Sequence, residues 1–349
     1  MSGFGLRRVG RTDLRLPTLG LGAAPLGNLY RPIGEEAAAA TLEAAFALGL
    51  LYVDTAPYYG FGLSERRVGD AVRGRGDVIV STKVGRLLVP AGPGVDKSRP
   101  RHGYVSPMPF SPIYDYSYAG ILRSHEESLQ RLGLSRVDIV YVHDIGRMTH
   151  GANHAGHIEA LVEGGGLRAL RRLRDEGAVD AIGIGVNEVE ICLDLLDRTE
   201  LDLILLAGRY TLLEQKALPR LMPLCLARGT SLVIGGPYNS GILAGPSSPA
   251  SHYDYRRPPP VVVERVRRIA GICQRHGVDL GAAALQFVLA HPLVASVIPG
   301  LASPEEVRQT ADWARAPIPA ALWSDLKAEH LLDAEAPVPA DGALAEMPA

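Results

Sequence analysis

Cysteine is scarce. Cys192, Cys225 and Cys273 are the whole complement of 349 residues, odd in number and far apart. They make neither a disulfide framework nor a metal box, which points to a reducing compartment. Long hydrophobic runs are missing too: no apolar stretch approaches the roughly 18 residues that a spanning helix needs. The opening MSGFGLRRVGRTDLRLP has no apolar leader core. Nor is there a block of charge of one sign, since 36 basic and 38 acidic residues leave a net charge of −2. That speaks against a nucleic-acid or membrane partner. The expectation is a cytoplasmic protein, and nothing in the sequence sets an oligomeric state.

What is present is alternation. With 47% hydrophobic residues the chain has enough apolar mass for a large core. Short apolar runs end in TLGLGAA (18–24), LLYVDTA (50–56), VIVSTK (78–83), VDIVYVH (137–143), AIGIGVN (181–187), DLILLAG (202–208), SLVIGG (231–236) and VASVIPG (294–300). Such runs read as strands covered on both faces. Helical patterns lie between them: 35–49, 64–73 opening on Ser64, 124–133 or earlier, 167–177, 187–198, 214–229, 262–277 and 303–314 with Ser303 as cap and Pro304 first. Eight strand–helix units predict an α/β (β/α)₈ TIM barrel, in one domain over 1–332. A doubly wound sheet would need G-x-G-x-x-G before a helix, and GLGAAPLG (20–27) is followed by none. The leading LRRVGRTDLRLP reads as a β-hairpin that closes the bottom of the barrel. The Pro/Ala-rich tail 333–349 is expected to be mobile.

Two long segments, 88–118 and 144–166, follow strands three and four. They leave the strand ends where barrel active sites are built. Asp54, Lys83 and His143 close strands two, three and four, and Tyr59 follows Asp54 by five residues. These types suit proton transfer to a carbonyl or alcohol oxygen. A free tyrosine titrates near about 10, too high for a base at neutral pH. An ammonium held by a carboxylate stabilises its phenolate. His143 orients the same oxygen, and hydride passes to a cofactor with no metal needed. Taken singly each residue fits a salt bridge, a cap or packing; it is their joint placement that points to catalysis.

The motifs that hold these residues resemble the aldo-keto reductase superfamily: DTAPYYG (54–60), STK (81–83) and DIVYVHD (138–144). The resemblance runs over about residues 5–315. It implies a catalytic tetrad of Asp54, Tyr59, Lys83 and His143, with Tyr59 as acid/base. DYSYAGILRSHEESLQRLGL (115–134), GVNE (185–188), LLAGRYTLLEQ (205–215) and GGPYNSGILAG (235–245) resemble a narrower branch, that of the D-threo-aldose (L-fucose), plant L-galactose and pyridoxal 4-dehydrogenases. That branch implies oxidation of a hemiacetal carbon to a lactone, on a small sugar or a pyridoxal-like substrate.

The resemblance also implies a nicotinamide site. Gly22, Ala23 and Asp54 are among its contacts. Asn187 holds the carboxamide, although Val186, Ala207 and Gly235 stand where the superfamily commonly has Ser, Gln and Tyr. In PYNSGIL (237–243), Pro237, Asn239, Ser240, Gly241 and Leu243 form the pyrophosphate loop, with Ser240 and Gly241 offering N–H groups. Pro299, Gly300, Leu301, Ala302, Ser303, Arg308 and Gln309 form the adenosine-phosphate loop at a helix start. No cation precedes Arg308 there, which favours NAD over NADP. Tyr58, Tyr114 and Arg209 are candidate substrate contacts, on a rim built from residues 26–30, 88–118 and 144–157. Other readings stay open: a general aldehyde or ketone reductase, a zinc hydrolase using His150, His154 and His157, and a non-catalytic nucleotide sensor on the same fold. Gly151 and Gly156 predict that the three histidines do not share a good helix.

Overall fold

The computed structural model describes residues 4–96, 99–245, 252–254 and 256–339. The strands are β1 (Leu6–Arg8), β2 (Arg15–Pro17), β3 (Leu21–Gly22), β4 (Tyr52–Asp54), β5 (Ile79–Val84), β6 (Arg86–Pro90), β7 (Phe110–Tyr114), β8 (Ile139–His143), β9 (Ala181–Val186), β10 (Leu203–Ala207), β11 (Ser231–Gly235) and β12 (Val294–Ile298). Among the described residues, eight of them form one parallel sheet in the order β3-β4-β5-β8-β9-β10-β11-β12. Bridges from Leu19 to Val297 and from Gly22 to Gly300 close it into the (β/α)₈ barrel.

Side chains alternate along each strand. On β8, Ile139 and Tyr141 join an inner cluster with Tyr52, Leu203, Leu205 and Val233. Val140 and Val142 join the outer cluster that the helices cover. Both faces are therefore apolar, which is why the strands read as unbroken hydrophobic runs. The same period of two sends Asp54, Lys83 and His143 inward at the top layer. In the pairing register His143 faces Gly185, and Ala207 faces Gly235.

The hairpin β1–β2 sits at the opposite end, and Val9 and Leu16 complete the inner cluster. Arg7 locks it there by donating to the carbonyls of Leu289, His291 and Val294 at 2.9, 3.2 and 2.6 Å.

Several local expectations are corrected. Ser64 is not a cap: the helix Leu63–Val72 starts after Gly62, and Ser64 Oγ donates to Ala23 O at 2.8 Å. The third crossover helix takes the earlier start that the sequence left open, at Tyr118, capped by Ser117 and not Ser124. Residues 214–229 are helical only over Leu221–Arg228, downstream of Pro219. The three histidines do not share one helix, since His150 closes Arg147–His150, although Gly156 is accommodated inside a second helix, His154–Val162. The 88–118 segment is not merely loop, because β6 and β7 form an antiparallel hairpin within it. Helices Leu280–Leu289 and Ala320–Ala328 are additional. The first is buried on all sides, so it shows no amphipathic stripe to read. The tail is packed where it is described: Ala336 is buried, and Lys327 Nζ donates to Ala334 O and Ala336 O. The remainder of the tail, 340–349, lies outside the described residues.

Candidate active site

The top of the barrel gathers the four residues. Asp54 and Lys83 are each 2% exposed and His143 4%. Lys83 Nζ donates to Asp54 Oδ2 at 2.6 Å, to Thr55 O at 3.0 Å and to Tyr59 Oη at 2.9 Å. An ammonium has three protons, and these acceptors use them all. Burial pushes the Asp54 carboxyl up and the Lys83 ammonium down, and the two charges oppose that on each other. Beneath them runs a polar ladder absent from the sequence reading. Ser81 Oγ donates to Asp54 Oδ1 at 2.8 Å, and the Tyr52 hydroxyl lies 3.0 Å from both Ser81 Oγ and Tyr141 Oη.

Tyr59 is placed by backbone packing. Its loop passes directly against the loop after β3. A Cβ on Gly27 would lie 2.5 Å from the Tyr59 carbonyl carbon. Gly60 has φ +65°, and its Cβ would meet Gly27 O at 2.4 Å. Only glycine fits both positions. Arg67 fixes the facing loop by donating to Leu26 O, Asn28 Oδ1 and Ile33 O at 2.7, 3.0 and 2.7 Å.

His143 stands opposite, its ring perpendicular to that of Tyr59 with centroids 5.9 Å apart. Burial, then Arg86 and Lys83, hold its pKa well below the ordinary histidine value, so the imidazole is neutral. Its Nδ1 is buried with no hydrogen-bond partner, and its Nε2 lies 3.5 Å from Asp144 Oδ2. Tyr116 holds the strand end by donating to His143 O at 2.8 Å.

A cavity of about 330 Å³ opens over these groups. Tyr59, Lys83 and His143 line one side of it. Leu29, Tyr30, His102, Gly103, Tyr104 and Asp144 line it from the expected rim segments, together with Ala24 and Tyr58 from outside them. Gly185, Val186, Asn187, Leu205 and Ala207 line the other side. These small apolar residues and one amide suit a flat ring bearing a carboxamide, so the residues present fit nicotinamide.

Of the three substrate candidates, only Tyr58 reaches the cavity. Tyr114 lies outside it, against His150 at a centroid distance of 4.7 Å and 39% exposed. It fails because the β6–β7 hairpin carries it outward. Arg209 is committed elsewhere: Nε donates to Asn187 O at 2.7 Å and Nη1 to Asp254 Oδ1 at 2.9 Å. Its role is to hold the Asn187 backbone.

The turns expected to hold the phosphates follow β11 and β12, and the second lies beside the end of β3 through the Gly22–Gly300 bridge. Gly22 N donates to Pro299 O and Ala23 N to Asp54 O, both at 2.8 Å, and neither residue is among those that line the cavity. Asn239, Ser240 and Gly241 take left-handed backbone, with φ of 45°, 61° and 99°. Gly241 is not an open donor, because its N–H is taken by Tyr238 O at 3.0 Å. Asn239 is locked by Thr211 Oγ1 at 2.5 Å and by its own bond to Gly208 O at 3.1 Å. Leu243 is fully buried in the outer core and supports the turn. Leu301 and Ala302 are also buried, whereas Arg308 and Gln309 are exposed. At Pro304–Arg315 the helix start is already capped. Ser303 Oγ accepts from Glu306 N at 3.2 Å, and Glu306 Oε2 accepts from Ala302 N at 2.7 Å. Pro237, Gly235 and Gly300 complete the two turns.

His150 and His157 rings lie 4.1 Å apart, and His150 Nε2 is 2.9 Å from Tyr116 Oη. Among the described residues no three acidic, Cys or His side chains come together as metal ligands, and no helix is long and apolar enough to cross a membrane.

Comparison with known proteins agrees with this geometry. The profile of the Aldo/keto reductase family matches residues 18–329. A pyridoxal 4-dehydrogenase of Microbacterium luteolum is 44% identical over 93% of this chain and 97% of its own. A D-threo-aldose 1-dehydrogenase of a Pseudomonas species is 41% identical over 91% and 95%. The holo form of an aldo-keto reductase from Bacillus halodurans superposes with a TM-score of 0.72, at 26% identity over 95% of this chain and 97% of that one. The chain therefore belongs to the aldo/keto reductase family and is an NAD(P)-dependent oxidoreductase of small molecules.

Proposed function

We propose that this protein oxidises the hemiacetal carbon of a small aldose, such as L-fucose or another D-threo-aldose, to its lactone, with NAD as acceptor. The observation that carries this reading is the Lys83 ammonium 2.9 Å from Tyr59 Oη and backed by Asp54, with neutral His143 across the cavity. The ammonium stabilises the Tyr59 phenolate, which takes the proton of the anomeric hydroxyl. His143 hydrogen-bonds the same oxygen through Nε2 and orients it. Bound nicotinamide supplies the hydride acceptor. Asn187 would hold its carboxamide, and the 235–243 and 299–309 turns its phosphates. The substrate thus loses a proton to Tyr59 and a hydride from carbon, and a carbonyl remains.

The preference for NAD is supported by the capped helix start. The Glu306 carboxylate sits at the Ala302 N–H and pairs with Arg31 at 2.6 Å, while Arg308 pairs with Glu305 at 2.6 Å. A 2′-phosphate would meet an anion there and cations that are already paired. Three buried, unpaired thiols fit a reducing, cytoplasmic setting.

A second reading is oxidation of pyridoxal to 4-pyridoxolactone. It is favoured by the aromatic wall, on which Tyr58 packs edge-on to Tyr104 at 5.8 Å and Arg86 lies over the Tyr58 ring at 4.2 Å. The test is reduction of NAD and NADP in parallel with L-fucose, D-arabinose and pyridoxal. Turnover of one class with NAD supports the matching reading. Aldehyde reduction alone would make the protein a general reductase. Tight nucleotide binding with no turnover across the panel would favour a sensor.

A further inference from the structure

Asp144 follows His143 and is the carboxylate among the described residues lining the cavity. Its backbone is left-handed, with φ +42°, and its N–H donates to Gly185 O at 2.8 Å. Non-glycine residues adopt that conformation rarely, and such outliers concentrate at functional sites. The turn brings the carboxylate beside the catalytic imidazole, with Oδ2 at 3.5 Å from His143 Nε2. Two groups hold it there. Arg86 Nη2, buried behind it, donates to Oδ2 at 2.7 Å, and Asn187 Nδ2 donates to Oδ1 at 3.0 Å. Neither uses up the acceptor: an ionised carboxylate has about four lone-pair sites. The side chain keeps 17% of its surface open.

Resting on the reading above, we propose that Asp144 is the substrate-selecting acceptor for a hydroxyl on the carbon next to the reacting carbon. His143 Nε2 and Tyr59 Oη define where the reacting oxygen sits. An oxygen on the adjacent carbon lies beside it, and the group beside His143 Nε2 is Asp144. A carboxylate accepts but cannot donate, so it selects O–H at that place. The 2-hydroxyl of an aldose is borne on the carbon adjacent to the one oxidised. A simple aldehyde has no such group. One carboxylate therefore accounts for how the cavity selects a 2-hydroxylated sugar and discriminates against unsubstituted carbonyls. The Arg86–Asp144–Asn187 chain also joins this contact to the nicotinamide side of the cavity.

The experiment compares kcat/KM for an aldose, its 2-deoxy analogue and its 2-deoxy-2-fluoro analogue in the unmodified enzyme and in Asp144→Asn. In the reverse direction, reduction of glycolaldehyde is compared with that of acetaldehyde. Deleting the hydroxyl is expected to cost the unmodified enzyme roughly 10- to 100-fold. Fluorine keeps the electron withdrawal but cannot donate, so it should not restore the rate. In Asp144→Asn the penalty should shrink at least several-fold, whereas a purely structural counter-ion of Arg86 would lower all substrates alike. An unchanged penalty in the variant overturns the proposal, as does a fluoro analogue that works as well as the alcohol. If Asp144→Asn does not fold, the fluoro comparison in the unmodified enzyme decides. If no sugar turns over, hemiacetal oxidation fails, and the glycolaldehyde–acetaldehyde ratio still reads Asp144 on its own.

Discussion

Replacing Asp54 by Asn removes one charge from a pair in which both partners are 2% exposed and 2.6 Å apart. Leaving one charge of a buried pair unpaired costs about 3–5 kcal/mol. Lys83 has an escape: burial already pulls its ammonium down, and Asp54 is the first group opposing that. Giving up the proton at pH 7 from the ordinary lysine value of about 10.4 costs about 5 kcal/mol, so destabilisation is capped near that figure. The variant thus folds with a neutral amine beside Tyr59. A neighbouring cation typically favours an ionised partner by about 1–3 pH units, so its loss lowers the phenolate population by roughly 10- to 1000-fold at neutral pH. Oxidation should fall by that factor at pH 7 and recover as the pH rises toward about 10. The assay is kcat against pH for both proteins, with thermal unfolding alongside. A pH profile that keeps its shape and position while only its height falls would refute the coupling of Asp54 to Tyr59 through Lys83.

Tyr59→Phe should lower kcat by at least about 100-fold, the usual scale of a general acid–base group, with cofactor affinity unchanged by fluorescence titration; near-normal kcat would remove Tyr59 from the mechanism. Gly85→Ala should destabilise by about 2–4 kcal/mol, measured by denaturant unfolding, because Gly85 has φ +93° and its Cβ would lie 2.3 Å from the Tyr116 ring that supports His143. Stability should drop in acid through buried neutral histidines. Burial, then Arg7, lowers His291 to about 4, and its Nδ1 accepts from Leu293 N. The unfolded chain takes the proton near 6.5, so the contribution is complete above that pH and is lost between 6.5 and about 4, to a total of about 3 kcal/mol. His291→Gln should flatten that slope in a Tm-against-pH series; an unaltered slope would assign the acid loss to other groups.

The barrel was legible because both of its periodicities are local. Runs such as VDIVYVH are apolar on both faces, and the helical stripes between them count out eight units. The convergence of the polar groups was legible for a related reason: Asp54, Lys83 and His143 close three of those runs, and the period of two turns each inward. Other features depended on residues far apart in the chain. Gly27 reads as an ordinary turn glycine until the Tyr59–Gly60 backbone is found against it. Tyr114 and Arg209 look like site residues by type, yet the β6–β7 hairpin carries one away and Asp254 engages the other. The donor capacity expected of Gly241 is spent inside its own turn. Asp144 had no distinguishing pattern beyond following His143; only the left-handed turn and the partners Arg86 and Asn187 bring it to the cavity. Sequence by itself determined the strand order, the inward-facing chemistry and the family. Tertiary structure decided which polar groups remain open to a substrate, because hydrogen-bond capacity is consumed by partners that chain order does not reveal.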